Sequence, residues 1–232
     1  ERFSRDLTDP ANAAFVQKAW DDHMAIGLVF TPYLLINNQP WSSNLPMSYD
    51  MIATVVKLNL LAERQFSSCP PMVIDFEKQY TATLHTSKGD IVLALFADKA
   101  PLTVNNFVFL ARNSWYDGVI FHRVIPGFMA QAGDPTGSGY GGPGYFFVNE
   151  ISTDLTFDRT GMLAMANSGP DTNGSQFFIT FGPQEQMNGG FTIFGQVIRG
   201  MDVVEKLTAR DPSQGGLLPE GDTILSVEIE EK

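Results

Sequence analysis

The stretch Phe121-His122-Arg123-Val124-Ile125-Pro126-Gly127-Phe128-Met129-Ala130-Gln131-Ala132-Gly133-Asp134 decides how the rest of the chain is read. Phe121, Val124, Ile125, Phe128 and Met129 are core-type residues, and Pro126-Gly127 marks a sharp turn between two short β segments. One cation, Arg123, stands inside this apolar run. A guanidinium among such neighbours is costly unless it is paired or faces a cleft. Arg123 is therefore the first candidate functional residue. The structural alternative is an ion pair with an acid such as Asp134.

Outward from this stretch, side-chain alternation dominates. Tyr80, Ala82 and Leu84, then Ile91, Leu93 and Leu95, predict two strands around a Ser87-Lys88-Gly89-Asp90 turn. Further strands are expected over 119–123, 127–131, 161–165, 176–180, 191–197 and 223–230. Pro101 opens a helix to about Arg112, with Val104, Phe107, Val108 and Ala111 inward. A second helix follows Gly200, from Met201 to about Leu207. Many short strands with only two helices indicate a mainly β fold, a closed antiparallel barrel. Gly137-Ser138-Gly139-Tyr140-Gly141-Gly142-Pro143-Gly144 lacks the Lys and the strand–loop–helix context of a phosphate loop. It reads instead as a loop with positive φ at several positions.

A second stretch, Met165-Ala166-Asn167-Ser168-Gly169-Pro170-Asp171-Thr172-Asn173-Gly174-Ser175-Gln176-Phe177-Phe178-Ile179, completes the pattern. Together the two segments resemble the signature segments of the cyclophilin family of peptidyl-prolyl isomerases. The resemblance implies an eight-stranded closed barrel capped by two helices, over residues 79–232. It also implies catalysis of X-Pro rotation, with Arg123, Phe128 and Gln131 as catalytic residues. Arg123 would donate to the prolyl nitrogen, and Gln131 would hold Arg123 and the peptide carbonyl. Phe128, Met129, Phe178 and Met187 would line the proline pocket, and Phe191 would close it. Asn167 would pair with the substrate backbone, with Ala166, Ser168 and Gln176 along the groove. His122 reads as structural. Taken singly, Phe128, Met129 and Phe178 fit a barrel interior as well; their joint order and spacing favour the site. Gln186 stands where many members carry Trp, and Met187-Asn188-Gly189-Gly190 where Leu-Asp-Gly is common. Cyclosporin should therefore bind weakly.

The N-terminal part differs in kind. Asp9-Pro10 predicts a helix start, with Phe15, Ala19, Trp20 and Met24 on its apolar face and Gly27 at its end. Two β-like pieces around Pro32 and an Asn37-Asn38 turn follow. Ser48 can cap a second helix reaching about Phe66, with Met51, Val55, Leu58 and Ala62 at helical spacing. This order is similar to the C-terminal half of a thioredoxin-like disulfide-oxidoreductase domain. The alternative is a helical extension packed on the barrel. Cys69 is the single cysteine, so no Cys-x-x-Cys redox pair exists. Cys69-Pro70-Pro71 breaks helix and strand alike. The domain reading is an N-terminal helical region over 1–70, a linker over 71–78 and an isomerase domain over 79–232.

Composition sets the outer bounds. The chain has 232 residues, 44% hydrophobic and 18% charged, which suits a folded globular protein. Its net charge of −11 argues against nucleic acid or an anionic membrane as partner. The three histidines are far apart without ligand spacing, so neither metal nor cofactor is expected. No apolar run approaches the ~20 residues of a membrane span. The chain begins with Glu1 rather than Met, so either a processed protein or a piece of a longer one is expected. An exported, bacterial extracytoplasmic location is expected, with the cytoplasm as alternative. The expected partners are proline-containing peptides and unfolded chains. The rival function is a non-catalytic proline-peptide binding or chaperone module.

Overall fold

The computed structural model describes residues 9–25, 27, 34–37, 39–42, 44–215 and 217–232. The chain divides into two compact units, Glu1–Ile52 and Ala53–Lys232.

In the first unit, helix α1 (Pro10–Ala25) begins as its sequence dictates. The Asp9 carboxylate accepts the Ala11 N–H at 2.8 Å, satisfying one of the donors a helix start leaves open. Gly27 follows at φ 76°, its N–H bonded to the Met24 carbonyl. Phe15, Trp20 and Met24 are exposed. Strands β1 (Leu35–Ile36) and β2 (Gln39–Pro40) form a small antiparallel hairpin. Asn37, at φ 50°, supplies its left-handed turn residue. The segment around Pro32 lies outside the described residues.

Helix α2 (Tyr49–Leu61) is capped by Ser48, whose hydroxyl accepts the Met51 N–H at 3.3 Å. It ends at Leu61, short of the expected Phe66. Leu61 is buried, and a tight turn closes there with Arg64 N–H on the Leu61 carbonyl.

The second unit is built on one strongly curled antiparallel sheet. Its strands are β3 (Tyr80–Thr86), β4 (Gly89–Leu95), β5 (Val119–Ile120), β6 (Arg123–Ile125), β7 (Met129–Ala132), β8 (Met162–Met165), β9 (Phe177–Thr180), β10 (Ile193–Arg199) and β11 (Thr223–Glu231). Their hydrogen-bonded order is β5-β11-β3-β4-β10-β8-β9-β7-β6. The sheet thus has nine strands where eight were expected, because the single strand expected over 119–123 is divided. β5 pairs with β11 at one edge and β6 with β7 at the other. Only Phe121 and His122 separate them, so the chain steps from one edge of the curl to the other. The backbone there is satisfied from outside the ladder. Phe121 N–H donates to the Asp222 carbonyl, and the Arg210 guanidinium donates to the His122 carbonyl at 2.6 Å.

The concave side of the curl holds the larger apolar cluster. Leu84, Ile91, Leu93, Ala130, Leu163, Phe177 and Phe194 meet Val104, Phe107, Val108 and Ala111 of α3 (Pro101–Arg112) there. Phe107 lies within 5.6 Å, ring centre to ring centre, of Tyr116, Phe177 and Phe194. Helix α4 (Met201–Val204) is shorter than expected, and Leu207 is buried beyond its end. Residues 71–78 lie against α3. Asn105 accepts from Val73 N–H at 2.6 Å and donates to the Pro71 carbonyl, and Ile74 is buried.

Candidate active site

Strand alternation sends neighbouring residues to opposite faces of a sheet. Phe177 goes to the concave interior, while Phe178 goes to a second apolar cluster with Met129, Phe157, Met162, Ala164, Met187 and Ile193. Phe128, Phe191, Ala166, Leu155, Ile125 and Phe96 pack against this cluster while partly buried. The register aligns the site: Arg123 stands opposite Gln131, Gln131 opposite Phe178, Phe178 opposite Ala164 and Ala164 opposite Ile193. One row across five strands therefore runs from the cation to the apolar pocket. Phe178 is sandwiched, stacked on Phe157 at 5.9 Å and edge-on to Phe191 at 5.4 Å. Phe128, Met129, Phe178, Met187 and Phe191 thus sit together on the face of the curled sheet opposite the Phe177 cluster.

Arg123 is half-buried, with its guanidinium carbon 5.8 Å from the centre of the Phe128 ring. Among the described residues it makes no side-chain hydrogen bond and no ion pair. The alternative partner, Asp134, is engaged elsewhere. Its buried carboxylate accepts from Thr136, Ser138, Gly139 and Gly141. Burial pushes its pKa up, but the bonds from Thr136, Gly141 and Gly139 outweigh this and hold it below the usual range. Gly137, Gly139 and Gly144 of that loop have positive φ, as expected.

Gln131 faces Arg123 across the strands without bonding to it. Its amide instead donates to Gln176 Oε1 at 2.9 Å, and Gln176 Nε2 donates to the Gly139 and Gly141 carbonyls at 2.9 Å. The sequence reading, which gave Gln131 to Arg123, is corrected on this point. Asn167 Nδ2 donates to the Gly190 carbonyl, while Asn167's own N–H and C=O have no partner among the described residues. Ala166, Asn167, exposed Ser168, Gln131 and Gln176 line a cleft of about 480 Å³ beside the apolar pocket. The expected site residues thus form two adjoining compartments, one apolar and one polar.

His122 is buried, and neither ring nitrogen has a hydrogen-bond partner. Burial pushes its pKa down to about 4; Arg210 and Arg123 add to the fall, and Asp134 opposes it. It stands neutral behind the Arg123 strand.

This geometry matches known proteins. The family model for cyclophilin type peptidyl-prolyl cis-trans isomerase/CLD matches residues 81–229. The chain belongs to the cyclophilin-type peptidyl-prolyl isomerase family. Peptidyl-prolyl cis-trans isomerase A of Mycobacterium tuberculosis is 55% identical over 133 residues, covering 51% of this chain and 73% of the relative. The isomerase-like 3 protein of Dictyostelium discoideum is 45% identical over 148 residues, covering 62% of this chain and 91% of its own. A cyclophilin type isomerase of Cryptosporidium parvum superposes with a TM-score of 0.61 at 37% identity, over 66% of this chain and 98% of its own. The same protein was also solved in the presence of the dipeptide Ala-Pro.

Within this cyclophilin domain, sequence reasoning missed Phe157, Met162, Leu155 and Ile193 of the apolar pocket. Met162 and Ile193 carried a signal, since each sits one residue out of phase with inward Leu163 and Phe194. Phe157 and Leu155 come from a loop with no periodicity to read. Gln186 lies exposed on a short 3-10 turn (Glu185–Met187), its amide bonded to Gln184 Oε1 at 2.7 Å.

Proposed function

We propose that this isomerase speeds X-Pro rotation by seating the proline ring against the Phe178 cluster and donating a hydrogen bond from Arg123 to the prolyl nitrogen. The observation that carries this is a half-buried guanidinium, uncommitted among the described residues, at the edge of an apolar pocket. The barrier to rotation, about 20 kcal/mol, arises because the nitrogen lone pair is delocalised into the carbonyl. In the twisted state the nitrogen becomes pyramidal and regains its lone pair. A fixed, permanently charged donor stabilises that state more than either planar isomer. No acid, base or nucleophile is required, which fits a site whose histidine is buried and neutral.

The polar compartment would hold the flanking peptide. The open N–H and C=O of Asn167 suit an extended backbone laid beside them, as in strand addition. Gln131, oriented by Gln176, would hold a peptide carbonyl. Substrates in this reading are proline-containing peptides and unfolded chains. The acidic surface disfavours nucleic acid. Cyclosporin would bind weakly for lack of an apolar wall at Gln186.

The test is cis–trans exchange of a proline peptide followed by NMR with micromolar protein. Exchange broadening that disappears in Arg123→Ala supports the reading. Peptide binding without exchange would mean a proline-peptide binding module instead.

A further inference from the structure

The polar cleft has a wall that the family match does not include. Residues 61–66 precede the matched span of 81–229, and they pack on the glycine-rich loop within the second unit. Gln65 Nε2 donates to the Gly142 carbonyl at 2.9 Å, and Phe66 N–H donates to the Pro143 carbonyl at 2.8 Å. The segment is itself anchored. The Phe66 ring lies edge-on to Phe109 at 5.0 Å, and the Arg64 guanidinium carbon sits 5.5 Å from the Trp115 ring centre. There is no room to spare between segment and loop. A Cβ at Gly144 would fall 2.5 Å from the Phe66 carbonyl oxygen, and one at Gly141 would fall 3.0 Å from Leu61 Cδ2 and 2.0 Å from the Asp134 carboxylate.

The loop held from outside by Gln65 is held from inside by Gln176, which bonds the Gly139 and Gly141 carbonyls and orients Gln131. We propose that Gln65 is a positioning residue for peptide binding. It fixes the Gly141–Gly142 backbone as the outer wall of the cleft, and so tunes affinity for substrate residues beyond the X-Pro pair. This rests on the cleft being part of the peptide site. A loop bonded on two sides, at the Gly142 carbonyl by Gln65 and at the Gly139 and Gly141 carbonyls by Gln176, is held in place, and a preorganised wall spares the peptide the cost of ordering it. Gln65 itself is exposed, so its replacement leaves the apolar anchor of Phe66 and Leu61 in place.

The experiment compares the full chain with Gln65→Ala, Gln65→Glu and Gln65→Lys on two substrates. One is a blocked Ala-Pro dipeptide, which fills little beyond the proline pocket. The other is an octapeptide with Ala-Pro at its centre. Ala and Glu remove the donor, whereas Lys keeps one of similar reach. The expected result is a KM for the octapeptide raised about three- to tenfold in Gln65→Ala and Gln65→Glu. Its kcat should be nearly retained, the dipeptide should be affected by a smaller factor, and Gln65→Lys should stand close to wild type. The proposal is overturned if the octapeptide KM does not move or if Gln65→Lys fails to restore it. It is also overturned if both substrates lose activity equally along with melting temperature, which marks a merely structural contact. A wild-type chain that turns over neither substrate would refute the isomerase reading itself, and is distinguishable from all of these.

Discussion

The curled sheet carries two apolar clusters on its two faces, and they serve different ends. The concave cluster is sealed: Phe107, Phe177, Phe194, Leu84 and Ile91 are fully buried, and α3 closes over them. The outer cluster is built from the alternate residues of the same strands but closes only in part. Phe178, Met129 and Met187 are buried, while Phe128, Phe191 and Ala166 stay half-open beside Arg123. A face that buries everything stores stability. A face left partly open keeps apolar area for a ligand and pays for that in stability not gained. The difference teaches that residue type does not separate core from site; completeness of cover does.

The sharpest way to break this comparison is to truncate one residue on each side. Phe107→Ala should cost about 3–5 kcal/mol of unfolding free energy, since it leaves a cavity among three packed rings. Denaturant unfolding measures it, and kcat/KM per folded molecule should stay within a few-fold of wild type. Arg123→Ala should do the reverse. It should lose about 3–4 kcal/mol of transition-state stabilisation, a 10²–10³-fold fall in kcat/KM, with little change in the unfolding midpoint. Arg123→Lys should recover little, because a point charge does not reproduce the directed guanidinium donor. Equal loss of stability and activity in both variants would erase the distinction between the faces.

His122 sharpens the comparison at the seam between them. Its folded-state pKa of about 4 lies below the ordinary 6.5, so the unfolded chain takes up the proton first as pH falls. The stability it contributes is complete above about 6.5 and drains away down to about 4, in total roughly 3 kcal/mol. Unfolding at pH 7 and pH 4.5 should show most of that loss, and His122→Phe should remove it. His85 works in the opposite sense. Its bond to Asp90 raises its pKa, so its contribution is present below 6.5 and lost above. A stability curve that stays flat in wild type between pH 7 and 4.5 would argue against a neutral, orphaned His122. The smallest effect expected is at the rim. Gln186→Trp should strengthen cyclosporin binding by about 1–3 kcal/mol, ten- to a hundredfold, by adding an apolar wall and an indole donor. Turnover should change little, because Gln186 stands exposed outside the apolar cluster. Titration calorimetry on both proteins checks it, and an unchanged affinity would remove the rim argument.

The sequence by itself determined the strand and helix order of the second unit, because period-2 alternation and helical spacing are local and survive without tertiary knowledge. It also named the candidate site residues, since Arg123, Phe128, Gln131 and Phe178 stand in a recognisable order. What it could not decide was closure. Whether residues 119–125 form one strand or two depends on Asp222 and Arg210, about a hundred residues away, supplying backbone partners at Phe121 and His122. Nor could it decide Gln131's partner, which is chosen by register: Gln176 and Arg123 are both within reach of that strand, and only the folded sheet sets which one the amide meets. The placing of Phe157 and of residues 61–66 belongs to the tertiary structure for the same reason. Phe157 sits in a loop without periodicity, and the helical spacing through Ala62 predicted a helix to about Phe66 where the chain turns after Leu61; each is held by surfaces that exist once the sheet has curled.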